Sequence, residues 1–171
     1  MHTKVKLTFL GDIMCKAQML PSYMDAESDK YNFDKLFEDM IPMFQSADFV
    51  FANLETPISF SNKNLTTERF CFNSPYEFAQ AAYNAGVNFF ATANNHCLDR
   101  GVDGISSTIK SLNDIGAYHT GIYDKKDKSS LVVDVNGMKI GILSYTYGTN
   151  AFSNNCYLPK SEYWRVNLFQ N

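Results

Sequence analysis

No block of like charge runs through this sequence. Its 15 basic and 18 acidic residues are interspersed, and the net charge is −3. A concentrated basic footprint, the usual mark of a nucleic-acid binder, is missing, which weighs against nucleic acid as a partner. Paired cysteines are missing too, since Cys15, Cys71, Cys97 and Cys156 stand apart with no CxxC. That disfavours a disulfide framework and leaves reduced, independent thiols as the simpler reading. No apolar run is long enough to cross a bilayer, and MHTKVKLTFLGD at the start lacks a signal-peptide core. The expected location on that basis is the cytoplasm. Internal repeats and low-complexity tracts are also absent.

The 171 residues are 45% hydrophobic and 19% charged, which suits one medium-sized domain with a proper core. Three apolar runs read as buried strands: residues 5–11 (VKLTFLG), 48–55 (DFVFANLE) and 87–93 (VNFFATA). Helical spacing appears over residues 33–47, interrupted by Pro42, over 75–86, and over 102–116, where Ile105, Ile109 and Leu112 share one face. Residues 59–67 are rich in Ser, Asn and Thr and read as an exposed loop, with a short strand expected in RFCFN behind it. Asn136-Gly137 between SLVVDV and MKIGILSYTY is a strong hairpin signal. The order β-α-β-α-β-α-hairpin predicts an α/β sandwich with a mixed sheet. A sheet of this design usually continues, so the single domain over residues 1–171 is expected to be C-terminally incomplete. A free sheet edge or apolar face, and with it self-association, is expected as well.

Each apolar strand ends in a polar group: Gly11-Asp12, Asn53-Leu54-Glu55 and Asn94-Asn95-His96. In a parallel sheet such ends lie side by side, so these groups should meet in one crevice. Oxygen and nitrogen donors of this kind suit Mn, Fe, Zn or Mg, and a carboxylate shared between two ions is the arrangement of two-metal hydrolysis. His96 and Asp99 are three apart, which places them on one face of a helical turn. Asp99 could then orient the imidazole, and His96 could protonate a leaving group while remaining dispensable for folding. Asn95 would hold a metal. Either Asn94 or Asn95 could instead cap the following helix, and each site residue alone is more often structural. His119 is expected to make a structural hydrogen bond, and Cys97 to be a small buried thiol.

FLGDIM, ANLETPIS and ANNHCLDRGVDGISSTIKSLNDIGAYHTG, in this order and spacing, resemble the CapA/PgsA family of capsule and poly-γ-glutamate synthesis proteins. That family is similar in fold to the calcineurin-like metallophosphoesterases, α/β/β/α sandwiches with a dinuclear metal site. The resemblance covers roughly residues 5–150. It implies that Asp12, Asn95 and Glu55 (or Asn53) are metal ligands, and that His96 with Asp99 is the catalytic dyad. It also implies two divalent ions in the whole protein, an anionic polymer or phosphate ester as substrate, and a place in a membrane synthase complex, outside the membrane in many members. Met14 stands where phosphoesterases often have a His, and the later His-rich motifs do not occur in this sequence. A phosphoesterase unrelated to capsule and a non-catalytic scaffold subunit are the alternatives.

Overall fold

The computed structural model describes residues 4–65, 70–126, 131–150 and 158–169. Its centre is a parallel four-stranded sheet in the order β1 (Leu7–Ile13), β4 (Phe49–Leu54), β7 (Phe89–Ala91), β8 (Tyr118–Thr120). Between β1 and β4 lie α1 (Leu20–Tyr23), the two-residue strands β2 (Met24–Asp25) and β3 (Lys30–Tyr31), and the short helices α2 (Asp34–Phe37) and α3 (Ile41–Gln45). Between β4 and β7, the short pair β5 (Ile58–Ser59) and β6 (Ser74–Pro75) precedes α4 (Tyr76–Ala85), and α5 (Gly101–Asp114) joins β7 to β8. The hairpin β9 (Leu131–Val135) and β10 (Met138–Ile142) forms a separate antiparallel ladder. The expected α/β sandwich is therefore present, with its parallel and antiparallel strands in different ladders.

Burial explains the layers. Along β4, Val50, Ala52 and Leu54 join the core beneath the helices, while Phe49 and Phe51 join a second core with Val133 and Val135 of the hairpin. A strand buried on both faces reads as a continuous apolar run, as this one does. Both main helices are amphipathic: α4 buries Phe78, Ala81, Ala82 and Ala85, and α5 buries Ile105, Thr108, Ile109 and Leu112. These sets follow the i, i+3, i+4, i+7 spacing of a helix packed on one face. Asn136 and Gly137 both have positive φ, at 52° and 84°, as a two-residue turn matched to strand twist requires. Between the sheet and β10, an apolar cavity of about 370 Å³ is lined by Phe9, Phe51, Phe89, Ile140 and Ile142.

Several expectations change in detail. The segment 33–47 is interrupted near Pro42 as expected, in the form of α2, a 3-10 turn and α3, with Pro42 in the first turn of α3. Proline suits that position because its missing N–H has no helical partner there. Ser59 is buried and paired in β5, so the exposed loop begins at Phe60. The partner strand lies at Ser74–Pro75, just beyond the RFCFN segment, of which Arg69 falls outside the described residues. The third strand is only three residues long, and β10 ends at Ile142. The fourth strand, β8, was not anticipated: its three residues offer no periodicity of their own. Among the described residues, no helix is long and apolar enough to cross a membrane.

Beyond β8 the chain turns at Gly121, whose φ is +125°. A Cβ there would lie 2.4 Å from the Ala93 backbone nitrogen and 2.8 Å from Ser144 Oγ. Gly121→Ala should therefore destabilise the domain by at least about 2 kcal/mol, through overpacking and backbone strain together. Gly141→Ala, with open space around its added methyl, should be near neutral. Thermal melts of the two variants check this contrast.

Candidate active site

A β-bulge aims the first site residue. Phe9 pairs with Phe51 and Asp12 with Asn53, so β1 takes three steps where β4 takes two. In a regular strand, three steps would turn Asp12 to the face opposite Phe9. The extra residue restores it to the Asn53 side, a recurrent use of bulges beside functional sites. There Asn53 Nδ2 donates to Asp12 Oδ1 at 2.8 Å and, more weakly, to Glu55 Oε2 at 3.3 Å. The backbone N–H of Glu55 donates to the Ile13 carbonyl at 3.0 Å, continuing the β1–β4 pairing past the strand end.

Asn94, three residues beyond β7, connects this group to the next. Its Nδ2 donates to the Leu54 carbonyl at 2.8 Å and to Asn53 Oδ1 at 3.2 Å, and its Oδ1 accepts the His96 backbone N–H at 3.1 Å. Asn94 therefore caps the turn that presents His96. The helix itself starts later, at Gly101, with Arg100 in the N-cap position and no side-chain cap. His96 Nδ1 lies 2.8 Å from Asp99 Oδ2, and both side chains are buried, 9% and 1% exposed. The Phe72 backbone N–H donates to the same carboxylate oxygen at 2.7 Å, and the Phe72 ring meets the imidazole edge-on at 4.6 Å between centroids. Asn150 lies against the imidazole, its Nδ2 3.4 Å from His96 Nδ1 and 3.3 Å from Nε2, and its backbone N–H donates to the Asn95 carbonyl at 2.7 Å.

The structure thus brings Asp12, Asn53 and Glu55 into direct contact and links them through Asn94 to His96 and Asp99. Asn95 enters through its carbonyl. Among the described residues, no hydrogen bond joins its side chain to Asp12, Asn53 or Glu55, and no group of three or more His, Cys, Asp or Glu converges as a metal cage. Asn94, Phe72 and Asn150 are site residues that sequence reasoning did not single out for these roles. Phe72 and Asn150 come from irregular segments with no motif. His119 Nε2 pairs with Asn113 Oδ1 at 3.1 Å, on the edge strand. Burial pushes the Cys15 and Cys97 thiols up to about 12, which leaves them inert as nucleophiles.

The two carboxyl groups titrate as a pair. The hydrogen bond from Asn53, with help from Glu55, holds Asp12 below its ordinary value of 3.8. Glu55 is pushed up from 4.5 to about 7, first by burial and then by Asp12 beside it. Asn53 decides which partner keeps the charge, because its shorter bond goes to Asp12. A proton held in the native state between about 4.5 and 7, and released on unfolding, stabilises the fold at low pH. That contribution is fully present below about 4.5 and is lost as pH rises through about 7. The melting temperature of the wild type, relative to Glu55→Gln, should therefore fall as pH rises across that window. A flat difference would disprove the proton-holding role.

Burial also gives His96 a structural share, against the expectation that it is dispensable for folding. Removing it would take one partner from the Asp99 carboxylate, which is 1% exposed and also accepts the Phe72 N–H. Loss of one partner of a buried pair costs on the order of 3 kcal/mol, because the remaining group loses its match. His96→Ala should show a loss of that size in denaturant unfolding, and adding Asp99→Asn should recover part of it. Strict additivity of the two substitutions would show that the pair is uncoupled.

Residues 6–170 match the family model described as bacterial capsule synthesis protein PGA_cap. The capsule biosynthesis protein CapA of Bacillus anthracis is 26% identical over 150 residues, which cover 85% of this chain and 35% of that protein. The PGA biosynthesis protein CapA of Bacillus subtilis (strain 168) is 27% identical over 145 residues, covering 81% and 36%. The uncharacterized protein y4sH of Sinorhizobium fredii is 28% identical over 99 residues, covering 55% and 22%. The chain spans about a third of the length of the two capsule proteins it matches. With a family match running from the first strand to the last bridged segment, the chain belongs to the bacterial capsule synthesis protein family PGA_cap.

Proposed function

We propose that this chain serves capsule polymer synthesis, of the poly-γ-glutamate type, through a metal-assisted hydrolysis or transfer step at the Asp12–Glu55 pair. The observation that carries the reading is the hydrogen-bonded run from Asp12 through Asn53 and Asn94 to the His96 turn. It joins a carboxyl pair to a buried imidazole–carboxylate dyad at one end of one sheet.

The donor set fits a divalent ion. Asp12 and Glu55 offer hard oxygens in mutual contact, and burial, then the Asp12 carboxyl beside it, lets Glu55 keep its proton to about pH 7, where a counter-charge would favour its ionised form. A cation of the Mn, Fe, Zn or Mg kind supplies that charge. Asp12 and Glu55 would hold it, with the Asn95 amide oxygen and water completing the shell, since Asn53 Oδ1 already accepts from Asn94. When bound, the metal polarises an acceptor oxygen and acidifies water. The protein's own share is positional: Asp99 fixes the imidazole through Nδ1, which leaves Nε2 as the nitrogen that would meet the reacting group. His96 then delivers a proton to the departing oxygen or nitrogen. The substrate class is an anionic polymer or a phosphate ester.

A non-catalytic binding role is the second reading. Met14 at the position of a common ligand and the absence of a three-group cage among the described residues favour it. Calorimetric titration with manganese or zinc separates the two. We expect weak binding of at most one ion per chain, with release of protons below about pH 7 and loss of binding in Asp12→Asn. His96→Gln should lower turnover of a generic phosphate ester or a γ-glutamyl amide by about 10²–10⁴-fold. Absence of metal binding and of turnover in the wild type would leave the binding role.

A further inference from the structure

Arg100 follows Asp99 directly and carries the one cation on the turn that presents the dyad. Its stem folds back over the first turn of α5. A Cβ at Gly104 would fall 2.5 Å from Arg100 Cβ and 3.7 Å from Pro57 Cβ, so only glycine leaves room for this placement. Its head reaches the Cys71 carbonyl, where Nη2 donates across a long 3.4 Å. That carbonyl belongs to the residue before Phe72, whose N–H and ring contact Asp99 and His96. The guanidinium therefore stands beside the dyad, on the Phe72 side.

Among the described residues, its charge meets no counter-ion in contact: the only ion pairs there are His96–Asp99, Lys139–Asp134 and Arg165–Glu162. The adjacent Asp99 carboxylate is committed to His96 and to the Phe72 N–H. Arg100 Nε is buried with no hydrogen-bond partner among the described residues. A half-buried guanidinium with five donors and one long bond is under-satisfied, and such groups are normally matched by a planar oxyanion. The side chain remains partly exposed, so its outer N–H groups can reach a ligand from solvent.

We propose that Arg100 is an anion-binding residue beside the His96–Asp99 dyad, which holds a carboxylate or phosphoryl oxygen of the substrate. The placement deepens the proposed function and rests on it: a γ-linked glutamate chain presents a free carboxylate at every unit, and a phosphate ester presents the same oxygens at the reacting centre. A fork of N–H donors on one side of the dyad would fix which bond of the polymer lies over His96. Charge-assisted bonds of this kind are the strong ones in recognition.

The test is metal-free binding, followed by nuclear magnetic resonance, of a γ-linked glutamate pentamer and separately of inorganic phosphate. Wild type, Arg100→Gln, Arg100→Lys and Asp12→Asn are compared. Arg100→Gln should weaken binding of at least one probe about tenfold or more, with its ligand-free melting temperature unchanged or higher. Arg100→Lys should retain part of the affinity, and the probe that responds identifies the source of the anion. Equal binding by wild type and Arg100→Gln would overturn the inference, as would a lowered melting temperature with affinity intact. It fails equally if Glu68→Gln, close to Cys71 in sequence, lowers the melting temperature as Arg100→Gln does, since the two would then be partners. Asp12→Asn distinguishes the two proposals: its loss of metal binding tests the metal-assisted reading alone, while its retained pentamer or phosphate binding tests Arg100 alone.

Discussion

One primary amide holds the site together. Asn94 binds the Leu54 carbonyl and Asn53 Oδ1 with its nitrogen, and the His96 N–H with its oxygen. It thereby ties the end of β4 to the turn after β7 at two points. Every other functional contact depends on that tie. Asn53 can aim its own nitrogen at the carboxyl pair because its oxygen is already occupied by Asn94. His96 can meet Asp99 because its backbone is fixed one residue pair away. The side chain is only 7% exposed, so these bonds form away from competing water.

The sheet supplies the frame that makes such a tie useful. Parallel strands place their C-terminal ends in one row, and β1, β4 and β7 are immediate neighbours in the sheet. The central strand is buried on both faces, by helices on one side and the hairpin on the other. Its last residues emerge from that packing as Asn53 and Glu55. Burial raises the Glu55 carboxyl toward neutrality and leaves the Asp12–Asn53 contact strong enough to keep Asp12 charged. Asp12 itself is exposed, so the pair opens to solvent on its side.

Much of this was legible in the residues, and the failures have physical causes. The three strand ends announced themselves because a long apolar run that stops at Asp, Asn or His has few structural explanations. The dyad followed from a spacing of three. The bulge in β1 was not legible, because Leu10 and Gly11 look like ordinary strand residues and only the register against β4 reveals the extra step. β8 escaped because Tyr118–Thr120 owe their strand state to the neighbour β7, not to propensity. Phe72 and Asn150 reach the dyad from irregular segments distant in sequence, through contacts that no local pattern encodes. The capping role open to Asn94 or Asn95 falls to Asn94, but on the turn and not on the helix. An Asn before a helical pattern reads as a helix cap, yet here the turn over residues 95–100 intervenes before α5 begins.

Anomalous diffraction from crystals grown with manganese is the most direct measurement of the central claim, that the Asp12–Glu55 pair and the Asn94-linked turn form one metal-binding unit. The account predicts an anomalous peak in contact with the carboxyl oxygens of both Asp12 and Glu55, with Asn94 still bonded to Leu54 and to the His96 N–H. A structure that leaves those carboxyls hydrogen-bonded to Asn53 without a peak, or that places manganese elsewhere, would contradict it.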